Sequence, residues 1–191
     1  DNLEEKGITV EYSDKSFLPH DAGAYNRSRS TAEAYAEKMP DAIIDIQRGG
    51  VDADEYETEV DGEDTSMVRL FVGRSNQNAA ENKAFAQQLK AAADKAYPGL
   101  IKDIFIGKGN YNQELYPRSI LLEFGTHTLD KELAIDATGY MADVLSDVLY
   151  GGSASAEGAG AKSAKGAGSG IFWAIAIVAL AGLVYALVST G

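Results

Sequence analysis

The sequence predicts an α/β layered fold on a mainly parallel sheet over residues 1–150, followed by a linker and one C-terminal transmembrane helix. Three observations predict it. Short apolar, β-branched runs alternate with amphipathic stretches along residues 1–150, as strands and crossover helices do. A stretch rich in Gly, Ala and Ser fills 151–170. An uncharged run from Ile171 to Val188 follows it.

The elements follow in order. Gly7–Glu11 reads as a short strand. Arg27–Met39 reads as a helix that Ser30 or Thr31 can cap and Pro40 ends. Ala42–Ile46 is a buried strand, Glu55–Val60 alternates weakly, and Asp61-Gly62 is a turn signal. Met67–Val72 is the next strand, and Ala79–Tyr97 a helix with Phe85, Leu89, Ala92 and Ala96 on one face. Ile101–Ile106 and Ser119–Phe124 are strands. Leu129–Leu149 is the last helix of the body, with Leu133, Ile135, Met141, Val144 and Val148 inward. No internal repeat is present.

The linker GGSASAEGAGAKSAKGAGSG holds nothing that builds a core; its 20 residues give a flexible spacer spanning about 25 Å. The run 171–188 holds 18 residues without a charge, and as a helix it would span roughly 27 Å, close to the hydrocarbon thickness. Trp173 and Tyr185 fall near its ends, where amphipathic rings favour the interface. Lys162 and Lys165, taken alone, place the linker on the cytoplasmic side.

Composition excludes several classes. The formal net charge is −12, and residues 1–150 carry 15 basic and 28 acidic side chains. Such a body is unsuited to nucleic acid or to anionic headgroups, which need a basic surface. There is no cysteine, so disulfides and thiolate metal sites are excluded. The first residue is Asp1, with no signal-peptide pattern after it.

In open α/β sheets, function gathers at the carboxyl ends of strands. Two ends draw notice: Asp45-Ile46-Gln47-Arg48-Gly49-Gly50 and Glu123-Phe124-Gly125-Thr126-His127-Thr128. Glu123 follows Ile120, Leu121 and Leu122. Apolar surroundings raise a carboxyl pKa and suit a general acid or base; the alternative is a Glu that caps a loop or pairs with an Arg. Arg48 could clamp a carboxylate or phosphate, or form a structural ion pair. His127 is a site-lining candidate, while His20 reads as solvated. Asn76, Asn78 and Asn82 read as loop and helix-capping residues.

Four ordered segments carry a family resemblance: Tyr25-Asn26-Arg27-Ser28-Arg29; Ile43-Ile44-Asp45-Ile46-Gln47-Arg48; Val72-Gly73 through Asn76-Gln77-Asn78 to Asn82 and Phe85; and Tyr97-Pro98-Gly99-Leu100 through Tyr111-Asn112-Gln113-Glu114-Leu115 and Pro117-Arg118 to Leu121-Leu122-Glu123-Phe124-Gly125-Thr126. Over about residues 7–148 the chain resembles stage II sporulation protein P, a cell-wall amidase family of endospore-forming bacteria. The resemblance implies a phosphorylase/hydrolase-like α/β fold and a zinc-dependent N-acetylmuramoyl-L-alanine amidase acting on peptidoglycan. Glu123 stands at the family's catalytic Glu position.

The chain departs from the family at the metal. The second histidine ligand falls at position 47, which here is Gln47, and the Asp after the Arg is Gly49. The family's first ligand motif has no counterpart and is expected upstream of Asp1. No zinc ligand is recognisable in residues 1–191. The resemblance therefore leaves two readings, a wall amidase or a pseudoenzyme that binds wall without cutting it. Either implies a membrane-anchored protein with its body extracytoplasmic, the reverse of the lysine bias. The implied partners are peptidoglycan, the membrane and another wall-lytic membrane protein of sporulation. A C-terminal anchor is itself unusual for the family, where an N-terminal segment is expected.

Overall fold

A computed structural model describes residues 2–19, 21, 23–151 and 175–179. The expected solvated His20 lies outside the described residues.

The strands are β1 (Val10–Ser13), β2 (Ala42–Gly49), β3 (Glu57–Val60), β4 (Glu63–Ser66), β5 (Val68–Gly73), β6 (Ile101–Gly107), β7 (Ser119–Thr126) and β8 (Ile175–Ala179). The helices are α1 (Ala24–Ala36), α2 (Ala79–Ala96) and α3 (Lys131–Tyr150). The main sheet runs β1-β8-β2-β7-β5-β6, and β3 and β4 form a separate hairpin. Asp61 and Gly62 turn that hairpin with positive φ at both positions, 56° and 86°, as a two-residue hairpin loop demands. The Asp-Gly turn signal is thus in place; its second strand, Glu63–Ser66, was not legible because it holds no apolar alternation.

The sheet is mainly parallel, with one reversal. β1–β8, β8–β2, β2–β7 and β5–β6 pair parallel, and β5 pairs β7 antiparallel. The reversal follows from the connections. No α-helix lies between β2 and β5 or between β6 and β7, only single 3-10 turns at Ala53–Glu55 and Gln113–Leu115, so the chain turns back at the same end instead of crossing over. Only α2, between β5 and β6, makes a parallel crossover within that half of the sheet.

α2 and α3 cover one face, around Ile44, Leu70, Val72, Ile120, Leu122, Phe85, Leu89, Met141 and Val144. α1 lies on the other face, where Ile43 packs with Phe17, Tyr35, Ala36 and Tyr116. The buried stripe of α2 is Asn82, Phe85, Ala86, Leu89 and Ala93, so Ala93 takes the place expected for Ala96. On α3, Met141 and Val144 are buried as expected, whereas Ile135 is exposed. α1 begins three residues earlier than expected, behind Gly23. Ser30 and Thr31 therefore sit inside it and do not cap it. Asp21 instead accepts the Gly23 N–H at 2.8 Å.

Most of the run expected as a transmembrane helix, 171–188, lies outside the described residues, as does the linker beyond Gly151. Its described part, Ile175–Ala179, is strand rather than helix. The backbone of β8 ladders on both sides, to β1 and to β2, which satisfies polar groups that an apolar segment must otherwise bury. Among the described residues no helix is long and apolar enough to cross a membrane.

Candidate functional site

The antiparallel seam decides what meets at the carboxyl end of β7. Because β5 and β6 run the other way, their first residues lie beside the last residues of β2 and β7. Asp103 pairs in register with Arg69, Arg69 with Glu123, and Glu123 with Gln47. Directly paired residues project from the same face. One polar rank, Asp103–Arg69–Glu123–Gln47, therefore crosses four adjacent strands. It lies on the face opposite α2 and α3. The next rank on that face is Phe105–Phe71–Leu121–Asp45.

Glu123 is 4 % exposed and Tyr56 is 0 % exposed. The Tyr56 hydroxyl donates to Glu123 Oε2 at 3.0 Å. Arg69 Nη1 approaches the same oxygen at 3.9 Å. Arg69 is itself held by Asp103, Nε to Oδ1 at 2.8 Å and Nη2 to Oδ2 at 2.9 Å. Its guanidinium carbon lies 5.1 Å from the Phe105 ring centre and 5.9 Å from that of Tyr56. Lys102 Nζ also lies over the Tyr56 ring, 4.9 Å from its centre. Burial pushes the Glu123 carboxyl above the ordinary range; the Tyr56 hydrogen bond and the Arg69 charge hold part of that rise back, and Asp103 adds to it. Burial, with the Glu123 charge beside it, also pushes the Tyr56 phenol up, so it stays a donor.

Two glycines flank this arrangement. A Cβ on Gly49 would press on Gly125 O at 3.3 Å and stand in ordinary contact with the Tyr56 hydroxyl and Glu123 Oε2, at 3.6 and 3.7 Å. β2 carries a register shift between Gln47 and Gly49, the kind of irregularity that re-aims side chains beside a site. Gly125 has φ +63°, and a Cβ there would fall 2.6 Å from Leu129 Cδ2.

The second polar group is a closed triad. Gln47 Nε2 donates to the Tyr25 hydroxyl at 2.8 Å and to Asp45 Oδ2 at 2.9 Å, and Tyr25 donates to the same Asp45 oxygen at 3.2 Å. The carboxylate fixes the amide: reversing it would turn Gln47 Oε1 onto Asp45. Burial and the neighbouring Asp45 charge push the Tyr25 phenol well up. Tyr111 packs edge-on against Tyr25 and Phe71, with ring centres 5.3 and 4.9 Å apart. The Gly73–Gly107 pair leaves the space it fills, since a Cβ on Gly107 would meet the Tyr111 hydroxyl at 2.5 Å. Tyr111 and Asn112 both have positive φ, 55° and 57°. Asn112 holds that backbone by donating from Nδ2 to Tyr25 O at 3.0 Å and Ser28 Oγ at 3.2 Å.

The zinc that the family resemblance implies does not fit this donor set. Both amide hydrogens of Gln47 are committed within the triad. Its Oε1, buried and without a hydrogen-bond partner among the described residues, is an amide oxygen, not an imidazole, thiolate or carboxylate. Among the described residues no group of three His, Cys, Asp or Glu side chains could hold one metal ion.

The expected site residues fare differently. Glu123 and Gln47 stand side by side at the centre. The Arg48 guanidinium donates to the Leu129 carbonyl, so it ties β2 to the loop before α3. His127 is exposed, and its backbone N–H donates to Gly49 O at 3.1 Å. Asn78 donates to Glu114 O at 2.8 Å and Asn82 to Tyr116 O and Pro117 O at 3.0 and 2.9 Å, which makes them loop anchors. Sequence reasoning missed Tyr56, Arg69 and Asp103. The signal available for two of them was charge inside an apolar strand, Arg69 alone in Met67–Val72 and Asp103 beside Lys102 in Ile101–Ile106. Tyr56 gave none.

A family model described as "Stage II sporulation protein P" matches residues 1–146. The curated Stage II sporulation protein P of Bacillus subtilis (strain 168) is 31 % identical over 136 residues, which are 68 % of this chain and 34 % of that protein. The chain thus spans about a third of the length of the curated relative it matches. No solved structure matches it.

Proposed function

Because this chain belongs to the stage II sporulation protein P family, we propose that its body is a peptidoglycan hydrolase domain of endospore formation, of the N-acetylmuramoyl-L-alanine amidase type. The observation that carries this reading is Glu123, a carboxyl held out of water with its pKa raised, at the family's catalytic position. Such a group takes a proton from water as the water oxygen attacks the amide carbonyl carbon. It returns that proton to the nitrogen as the C–N bond breaks. The uncharged run 171–188 supports a membrane tether, and a wall substrate requires the body on the extracytoplasmic side. Peptidoglycan and a second wall-lytic membrane protein of sporulation are the partners this reading implies.

Gln47 favours a second reading. With its amide hydrogens committed to Tyr25 and Asp45, the site suits a non-catalytic module on the same fold that binds wall or scaffolds its partners. One experiment separates the two: incubate the purified protein with sacculi, then measure pelleting, released stem peptides and bound zinc. Release by wild type, with none by Glu123→Gln at equal pelleting, supports the amidase. Pelleting without release supports the binding module. With neither pelleting nor release, both readings fall.

A further inference from the structure

We propose that Tyr56 is a positioning residue that, with Arg69 behind it, gives Glu123 one working oxygen. The inference rests on the acid–base reading of Glu123. The Tyr56 hydroxyl and Arg69 Nη1 both fall on Oε2, at 3.0 and 3.9 Å. A hydrogen-bonded oxygen facing two donors is the poorer proton acceptor. The proton that Glu123 exchanges is therefore carried on Oε1, and the carboxyl cannot swap its oxygens without breaking the Tyr56 bond.

The rest of the surroundings hold this arrangement in place. Asp103 takes two N–H groups of Arg69 and leaves Nη1 as the edge turned to Glu123. Lys102 lies over the Tyr56 ring and donates to Glu55 O at 2.6 Å, anchoring the short segment that delivers Tyr56. Tyr56 N and O are themselves bonded, to Ala53 O at 2.9 Å and from Met67 N at 2.7 Å, so the phenol enters from a fixed backbone. The titratable and charged groups facing Glu123 are Tyr56 from the β2–β3 connection, Arg69 from β5 and Asp103 from β6. Gln47 is the uncharged neighbour on β2.

The test is Tyr56→Phe in the full chain, which keeps the ring and removes only the hydroxyl. Stem-peptide release should fall at least about tenfold in kcat with KM changed less than about twofold. The limb of the pH profile belonging to Glu123 should move to higher pH, because a bond favouring the carboxylate is gone. A second readout needs no turnover. The infrared carbonyl band of protonated Glu123, identified by its loss in Glu123→Gln, should rise in wavenumber when Oε2 loses its donor. If Tyr56→Phe does not fold, Arg69→Gln is read the same way, with a smaller band shift expected. An unmoved band overturns the inference whatever the activity, and so does a moved band with unchanged kcat and pH profile. If wild type releases no stem peptide, the hydrolase reading fails instead, and the band alone decides the hydrogen bond.

Discussion

Glu123 and Gln47 are register partners on neighbouring parallel strands, yet their hydrogen bonds run in opposite directions. Glu123 is bonded toward the β5–β6 half through Tyr56, and Gln47 toward α1 through Tyr25. The two central polar residues of the face therefore belong to separate networks, and each can be perturbed without the other.

Glu123→Gln removes a buried charge and keeps an oxygen to accept from Tyr56. At neutral pH the variant should be more stable than wild type by about 1 kcal/mol. The folded carboxyl titrates above its ordinary value of 4.5, so wild type gains from protonation below that value and loses the gain as pH rises through the folded pKa. Denaturant midpoints of the two proteins should converge in acid and separate, with the Gln variant ahead, toward neutrality.

Gln47→Glu places a second carboxylate against Asp45 in the space where Nε2 now donates at 2.9 Å. Two carboxylates at such range cannot both ionise without strain. The variant should lose about 2 kcal/mol or more at pH 7 and recover much of it in acid, as the pair comes to share a proton. A pH series of melting temperatures reads this.

Arg69 and Asp103 form a two-pronged pair at the half-exposed edge of the polar rank. A double-mutant cycle with Arg69→Met and Asp103→Ala should give a coupling of about 1 kcal/mol. Arg69→Met alone should cost more than Asp103→Ala alone, because it also strips Glu123 of its counter-charge. The reverse order would show that Arg69 serves Asp103 only.

Gly125→Ala meets a φ of +63° and two close atoms, Leu129 Cδ2 at 2.6 Å and Ser66 Oγ at 2.9 Å from the new methyl. Gly7→Ala meets only the first, with φ +76° and nothing within 4 Å. The Gly7 variant should lose about 1 kcal/mol, and the Gly125 variant clearly more. Equal losses in equilibrium unfolding would mean that the loop after β7 moves aside freely.

Tyr12 and Ile177 are register partners across β1 and β8, Tyr12 is exposed, and the chain has no native cysteine. Tyr12→Cys with Ile177→Cys should form a disulfide under mild oxidation, since neighbouring strands bring Cα atoms within the allowed reach. In vesicles, a run 171–188 that spans the bilayer withdraws Ile177 from the sheet, and the disulfide should not form. Gel mobility with and without reductant reports both states.

The strands and helices of the body other than β4 were legible from their apolar patterns: Ile43-Ile44 in β2, Phe85 and Leu89 on α2, Met141 and Val144 on α3. Glu123 was legible as a charge among apolar neighbours. The reversal of β5 was not, because strand direction is set by which connections lack a helix, and apolar pattern does not encode it. Losing that reversal hid Arg69 and Asp103, which lie at the starts of their strands and far from the ends where sites are sought. Tyr56 was hidden for another reason: it enters from a short 3-10 turn, where a lone aromatic has no period to reveal its direction.

The polar rank across the seam has a consequence for when the site comes into being. Its members arrive from residues 47, 69, 103 and 123, with the seam closing only once the last strand of the body has inserted between two others. Chains that end before β7 lack Glu123 and the strand that joins β2 to β5. Chain order therefore sets when the rank comes into being: it is complete only after β7, the last strand of the body, has been made.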